Sequence, residues 1–197
     1  MEINDFEVTY RKLLETGCIQ SRPSDNIVHI HVKDAKNVLL RGLRWSLGEN
    51  ASWLPEYDFV ADWLTDNHGR GLLMYGQCGR GKSVLGWRII PQVLNFWCHK
   101  IVTCVNAQEL NESPDEIIAK HIIYVDDIGT ESVSVKYGNK RQTFPELVDA
   151  AERHGKLLIV STNFTLQELS EQYGERTTDR LRAITKQVLF LGNSLRK

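Results

Sequence analysis

One stretch constrains this chain more than any other: Gly76-Gln77-Cys78-Gly79-Arg80-Gly81-Lys82-Ser83. Its G-x-x-x-x-G-K-S spacing works only where a buried strand delivers the backbone to the glycines and a helix carries it away. Both flanks are present. Gly71-Leu72-Leu73-Met74-Tyr75 is a short apolar run, and Val84-Leu85-Gly86-Trp87-Arg88-Ile89-Ile90 follows with helical apolar spacing. The glycines let the backbone curl so that several N–H groups converge on an anion, and the helix N-terminus adds its positive dipole end. Lys82 can reach β- and γ-phosphates, and the Ser83 hydroxyl can ligate Mg²⁺. Gly76 to Ser83, together with Val84 at the start of the helix, are therefore candidate ATP-binding residues: Gly76, Gln77, Cys78, Gly79, Arg80, Gly81, Lys82, Ser83 and Val84.

The rest of the chain alternates apolar strands with helices. Residues 101–105 and 121–127 read as strands, as do 156–163 and 187–191. Helical patterns occupy 107–120, 144–153, 165–173 (with a Thr165/Glu168 capping box) and 175–185. Near-continuous apolar strands separated by helices predict a parallel sheet covered on both faces. Upstream, residues 4–16 suit a helix with Phe6, Tyr10, Leu13 and Leu14 on one face. Residues 21–26 form a polar linker, and 28–32 alternate as a short strand or extended arm. Asp34 is a candidate cap for a helix over 35–47, and Pro55 opens a helix placed to pack beside a nucleotide base or simply in the core. His29 and His31 read as solvated strand residues rather than a metal pair, because no third ligand lies nearby. The expected organisation is an N-terminal extension over 1–50, a candidate partner-binding arm, and one nucleotide-binding domain over 51–197.

Composition narrows the class. With 197 residues, 42% hydrophobic and 25% charged, the chain suits a single globular domain. Its net charge of −1 provides no global field for nucleic acid, so any such contact must come from a local patch. Cys18, Cys78, Cys98 and Cys104 are scattered, as reduced thiols of a cytoplasmic protein are. The first residues lack a signal-peptide pattern, and no apolar run reaches membrane-span length, so no membrane association is expected.

Asp126 and Asp127 end an apolar strand, and in α/β sheets ligands bind at the carboxyl ends of strands. One carboxylate can hold Mg²⁺ and its neighbour can deprotonate an attacking water. Asn163 ends the next strand, where its amide can hydrogen-bond either a γ-phosphate or that water. Three arginines, Arg176, Arg180 and Arg182, fall within seven residues. An arginine delivered to a γ-phosphate stabilises transition-state charge, although surface charge is the ordinary reading of such a run.

Together these pieces resemble the AAA+ ATPases of the bacterial helicase-loader (DnaC/DnaI-like) and IstB-like group. The matching motifs are the phosphate loop at 76–83, Ile-Tyr-Val-Asp-Asp-Ile-Gly at 123–129, Tyr-Gly-Asn at 137–139 and Ser-Thr-Asn at 161–163. Tyr-Gly-Glu-Arg-x-x-Asp-Arg-Leu at 173–181 and Gly-x-Ser-x-Arg at 192–196 complete the set, which covers about 70–197. The resemblance implies an α/β P-loop NTPase of AAA+ type, with a five-stranded parallel sheet between helices and no C-terminal helical lid. It further implies that Asp126 is the Walker B magnesium residue, with Ser83 as its co-ligand. Asp127 would be the catalytic acid, often Glu elsewhere in AAA+ proteins. Asn163 would be sensor 1, Arg180 the arginine finger supplied to a neighbouring subunit, and Arg196 sensor 2. The first 70 residues do not resemble a loader's helicase-binding domain, which leaves the partner open.

Lys136, Tyr137, Lys140 and Arg141 surround a glycine, an arrangement that suits single-stranded DNA as well as it suits a solvated loop. The expected function is an ATP-hydrolysing switch (ATP and water to ADP and phosphate), with ATP and Mg²⁺ as cofactors, stimulated by assembly or DNA. It would be a DNA replication helicase loader acting with single-stranded DNA, a replicative helicase and a nucleotide-dependent homo-oligomer. The alternatives are an IstB-like transposition helper with a transposase-type partner, a nucleotide-gated binding module without significant turnover, and a small-molecule kinase. The order of Asp126-Asp127 and Ser161-Thr162-Asn163 speaks against the kinase.

Overall fold

The structure, a computed structural model, describes residues 3–19, 26–130, 135–136 and 139–195. Its central element is β1 (Gly71–Gly76), which feeds the phosphate loop and the helix beyond it. That helix begins as α4 (Lys82–Val84), widens into a π-helical segment over Leu85–Ile89 and resumes as α5 (Ile90–Cys98). Ahead of β1 lie α1 (Ile3–Glu15), α2 (Ala35–Leu47) and α3 (Pro55–Thr65). After α5 come β2 (Thr103–Asn106), α6 (Ala107–Glu112), α7 (Pro114–Ile118) and β3 (Ile122–Ile128). A short antiparallel hairpin, β4 (Val135–Lys136) with β5 (Asn139–Lys140), precedes α8 (Thr143–His154). The chain continues through β6 (Leu157–Thr162), α9 (Leu166–Tyr173), α10 (Glu175–Ile184) and β7 (Thr185–Phe190).

The main sheet has five strands in the order β2-β3-β6-β1-β7, all pairs parallel. This is the expected five-stranded parallel sheet between helices, with the strand of Ser161-Thr162-Asn163 flanked by the phosphate-loop strand and the acidic strand. Period-two alternation divides the core. Leu72, Met74, Tyr124, Ile159 and Val188 face one side, toward α2, α3 and α5. Leu73, Ile123, Val125, Leu158 and Val160 face the other, toward residues of α6 to α10. Helix α9 starts on the Thr165/Glu168 capping box read from the sequence.

Residues 28–47 belong to the first of these core layers: Val28, Ile30, Val32, Leu39 and Leu43 are all buried in it. Helix α1, by contrast, leaves Phe6 62% exposed. Asp34 occupies the N-cap position of α2 in a left-handed conformation (φ 54°) without capping it, its carboxylate accepting instead from the Asn37 amide. Residues 28–32 form an extended arm outside the sheet. The Asn67 side chain takes the place of a neighbouring strand: its Oδ1 accepts from Ile30 N at 2.8 Å and its Nδ2 donates to Val28 O at 2.8 Å. Asn67 itself is 2% exposed.

Asn67→Ala orphans the Ile30 N–H and the Val28 carbonyl in a buried setting. Each such loss costs about 1–3 kcal/mol, so roughly 2–6 kcal/mol of unfolding free energy should disappear in a urea titration. A loss below about 0.5 kcal/mol would show that water replaces the amide there.

Candidate functional site

The residues singled out from the sequence converge at the carboxyl ends of β1, β3 and β6. They line one cleft with Tyr57 of α3, Leu47 of α2 and Leu195: Cys78, Gly79, Gly81, Lys82, Ser83, Val84, Asp127, Ser161 and Asn163. Tyr57, on the helix that Pro55 opens, lines this cleft and is at the same time part of the core, 1% exposed.

The loop is fastened from outside. Arg80, 8% exposed, pairs with Glu56, 5% exposed, at 2.7 Å, and its backbone carbonyl accepts the Tyr57 hydroxyl at 3.0 Å. Burial pushes the Tyr57 phenol up to about 12, which keeps it a donor. Gln77 N donates to Phe190 O at 2.9 Å, Gly192 N to Gln77 Oε1 at 2.6 Å, and Leu195 N to Gly79 O at 2.9 Å. Gly79 and Gly81 are left-handed (φ 74° and 91°), and a Cβ on either would strike Ser194 or the Tyr57 hydroxyl. Cys78 is an exposed free thiol.

Inside the cleft, Lys82 Nζ donates to Gly76 O (2.8 Å), Gln77 O (2.8 Å) and Asn163 Oδ1 (3.0 Å). The Asn163 amide in turn donates to Asp127 Oδ1 at 2.8 Å. Ser83 Oγ donates to Asp126 Oδ1 at 3.1 Å. Two successive strand residues ordinarily point to opposite faces. Here the register of β3 against β6 shifts between Val125 and Ile128, and Asp127 takes φ 55°. The irregularity re-aims Asp127 so that both carboxylates serve the cleft, and Asp127 N is held by Ser161 Oγ at 3.1 Å.

The Ser83/Asp126 pair fits a divalent ion that takes only one or two protein ligands and completes its shell with water and phosphate oxygens, as Mg²⁺ does. No group of three or more His, Cys, Asp or Glu side chains among the described residues forms a self-contained metal site. The sequence reading missed several partners. Glu56 was not singled out in the helix that Pro55 opens. Ser161, Tyr124 and Trp87 all contact Asp126, but aromatics inside an apolar pattern read as core.

Other expected residues lie elsewhere. Arg180 is not among the cleft-lining residues; its guanidinium pairs with Asp149 and with Glu152 (3.0 Å) of α8 in the same chain. Arg176 and Arg182 are exposed. Lys136 and Lys140 fall on the β4–β5 hairpin. Arg141 is bound to Asp115 (2.7 Å) and Glu146 (2.8 Å), and it holds the Asp115 carboxyl below the usual range. Tyr137 and Arg196 lie outside the described residues. No helix among the described residues is long and apolar enough to cross a membrane.

No protein-family model matches the sequence, and no curated protein matches it. Solved structures do. The crystal structure of DnaI is 21% identical over 64% of this chain and 73% of its own, with a TM-score of 0.52. The DnaC helicase loader is 16% identical over 82% and 93%, with a TM-score of 0.53. AMPPCP-bound DnaA from Aquifex aeolicus is 16% identical over 77% and 51%, with a TM-score of 0.51. These likenesses show that the chain shares its α/β fold, a five-stranded parallel sheet between helices, with those structures.

Glu56→Gln keeps the shape of the loop clamp but leaves the Arg80 charge buried without a counter-charge. It should cost about 3 kcal/mol of stability in denaturant. A cost under about 1 kcal/mol would mean the pair is as weak as a surface ion pair.

Proposed function

We propose that this protein binds and hydrolyses ATP as a switch of AAA+ type. The observation that carries the reading is the chain of contacts from Lys82 through Asn163 to Asp127. It joins the loop, the central strand pair and the acidic strand in one cleft. In this reading the loop N–H groups and Lys82 bind the phosphates. Ser83 and Asp126 are the residues that would hold Mg²⁺, which when bound neutralises phosphate charge. Asp127 accepts the proton of the attacking water, and Asn163, hydrogen-bonded to Asp127, orients both. Tyr57, Leu47 and Leu195 offer the base an apolar wall.

The proposed context is DNA replication, as a helicase loader acting with a replicative helicase and single-stranded DNA. The likeness to the DnaC helicase loader and to DnaI supports this over a transposition helper, whose motifs would be nearly the same. A role for the β4–β5 hairpin in DNA contact, and for Arg196 as a sensor, belongs to the same proposal. Within residues 1–50, the candidate partner arm, residues 28–47 pack into the core, so the exposed stripe of α1 is the surface proposed for a partner.

Lys82→Ala should weaken ATP binding by orders of magnitude in calorimetry. Asp127→Asn should keep ATP bound and stop phosphate release. Lys82→Ala protein with wild-type affinity would sink the phosphate-loop reading, and Asp127→Asn protein that still turns over would remove Asp127 as the base.

Arg180 is proposed to act on the nucleotide of a neighbouring subunit, exchanging Asp149 and Glu152 for the γ-phosphate. Arg180→Ala should then leave ATP affinity nearly intact and remove most stimulated hydrolysis. Mixing Arg180→Ala with Asp127→Asn chains should restore part of it, because each supplies what the other lacks. No recovery at any ratio, with assembly confirmed by light scattering, would leave Arg180 as a structural partner of α8.

A further inference from the structure

The Asp126 carboxylate is held by more donors than the phosphate-loop pattern supplies. Its Oδ1 accepts from Ser83 Oγ, from Ser161 Oγ and from the Tyr124 hydroxyl, while its Oδ2 accepts from the Trp87 indole N–H at 2.8 Å. Three of these donors crowd Oδ1 and one holds Oδ2, so the carboxylate's rotation is fixed from both ends. Ser83 belongs to the loop and Ser161 to the neighbouring strand. Trp87 and Tyr124 have no place in the motif, and both are arranged for this contact.

Trp87 follows Ser83 by one turn and lies in the π-helical segment Leu85–Ile89, where the widened backbone changes the direction in which side chains leave the helix. Its ring meets Tyr124 edge-on, with centroids 5.8 Å apart and planes at 89°. Tyr124 is fully buried. Its hydroxyl donates to Asp126 Oδ1, a carboxylate oxygen that can only accept. Its ring reaches Asp126 through the space above Gly86, where a Cβ would strike the hydroxyl end of the tyrosine. Glycine at 86, tyrosine at 124 and tryptophan at 87 thus form one device with Asp126 at its focus.

We propose that Trp87, together with Tyr124, is a positioning residue for the metal side of this site: the indole pins Oδ2, which leaves Oδ1 turned toward Ser83, the orientation required to receive Mg²⁺-bound ATP. This rests on reading the cleft as an Mg²⁺·ATP site. Outer-shell hydrogen bonds of this kind are worth about 10–100-fold in metal affinity.

The test is calorimetric titration of ATP, with Mg²⁺ and with EDTA, into wild type, Trp87→Phe and Tyr124→Phe. Each variant keeps its ring and loses only the donor. The expected result is a loss of about tenfold or more in Mg²⁺·ATP affinity in both variants. ATP affinity in EDTA and the melting temperature should stay at wild-type values. Trp87→Phe protein that retains the full wild-type Mg²⁺ dependence overturns the proposal alone. So does Trp87→Phe protein that loses affinity equally with and without Mg²⁺, since that marks a packing role. Wild-type protein that binds ATP no better with Mg²⁺ than without it overturns the cleft reading as well.

Discussion

A loop that must aim its N–H groups inward at an anion cannot use them to hold its own shape, so it has to be fastened from the other side. In this chain the fastening comes from three directions. Helix α3 provides the Glu56 carboxylate and the Tyr57 hydroxyl, both on Arg80. The strand end at Phe190 takes the Gln77 N–H, and the backbone of residues 192–195 closes on Gln77 and Gly79. The glycines at 79 and 81 are needed on the outer face as well as the inner one, because Ser194 and Tyr57 occupy the space a side chain would need. The position of α3 and the path of the chain after β7 are both set by this need.

The second constraint is the alternation of a β-strand. A regular strand could offer the cleft Asp126 or Asp127, not both. The break in register at the end of β3, with Asp127 in a left-handed conformation, brings the two carboxylates to one side at the expense of local backbone comfort. Ser161 closes the gap by accepting the Asp127 N–H while donating to Asp126. One serine hydroxyl thereby couples the geometry of two neighbouring acids to the strand that also carries Asn163.

The fold was legible because its signals are periodic and local: the apolar runs of β1, β3 and β6, the phosphate-loop spacing, and the Thr165/Glu168 box. What escaped were partners brought together by the fold, whose residue types carry no local signature. Glu56 is a helix acid like any other until Arg80 is folded onto it. Tyr124 and Trp87 sit in apolar patterns, so burial was the natural expectation and a shared carboxylate was not. Residues 28–32 have strand periodicity but pair with the Asn67 side chain, which no alternation rule anticipates. Arg141 and Arg180 illustrate the opposite case. Each had a ligand-binding reading and a surface-charge or solvated-loop reading, and each meets carboxylates of its own chain, among them Asp115 for Arg141 and Glu152 for Arg180.

The strand order has a consequence for how the chain is made. Within the sheet β1 pairs only with β6 and β7, with Leu72 in register with Ile159 and Gly71 with Thr185. A ribosome must therefore extrude residues 157–162 before the strand that carries the phosphate loop gains its first neighbour, and 185–190 before it gains its second. Through much of synthesis, Leu72, Leu73 and Met74 lie in a nascent segment with two open edges, the kind that pairs with other chains if left uncovered. Pairings this remote are slow to close. The nucleotide site is thus among the last parts of the molecule to come into being, because two of the strands that frame it are made after the loop itself.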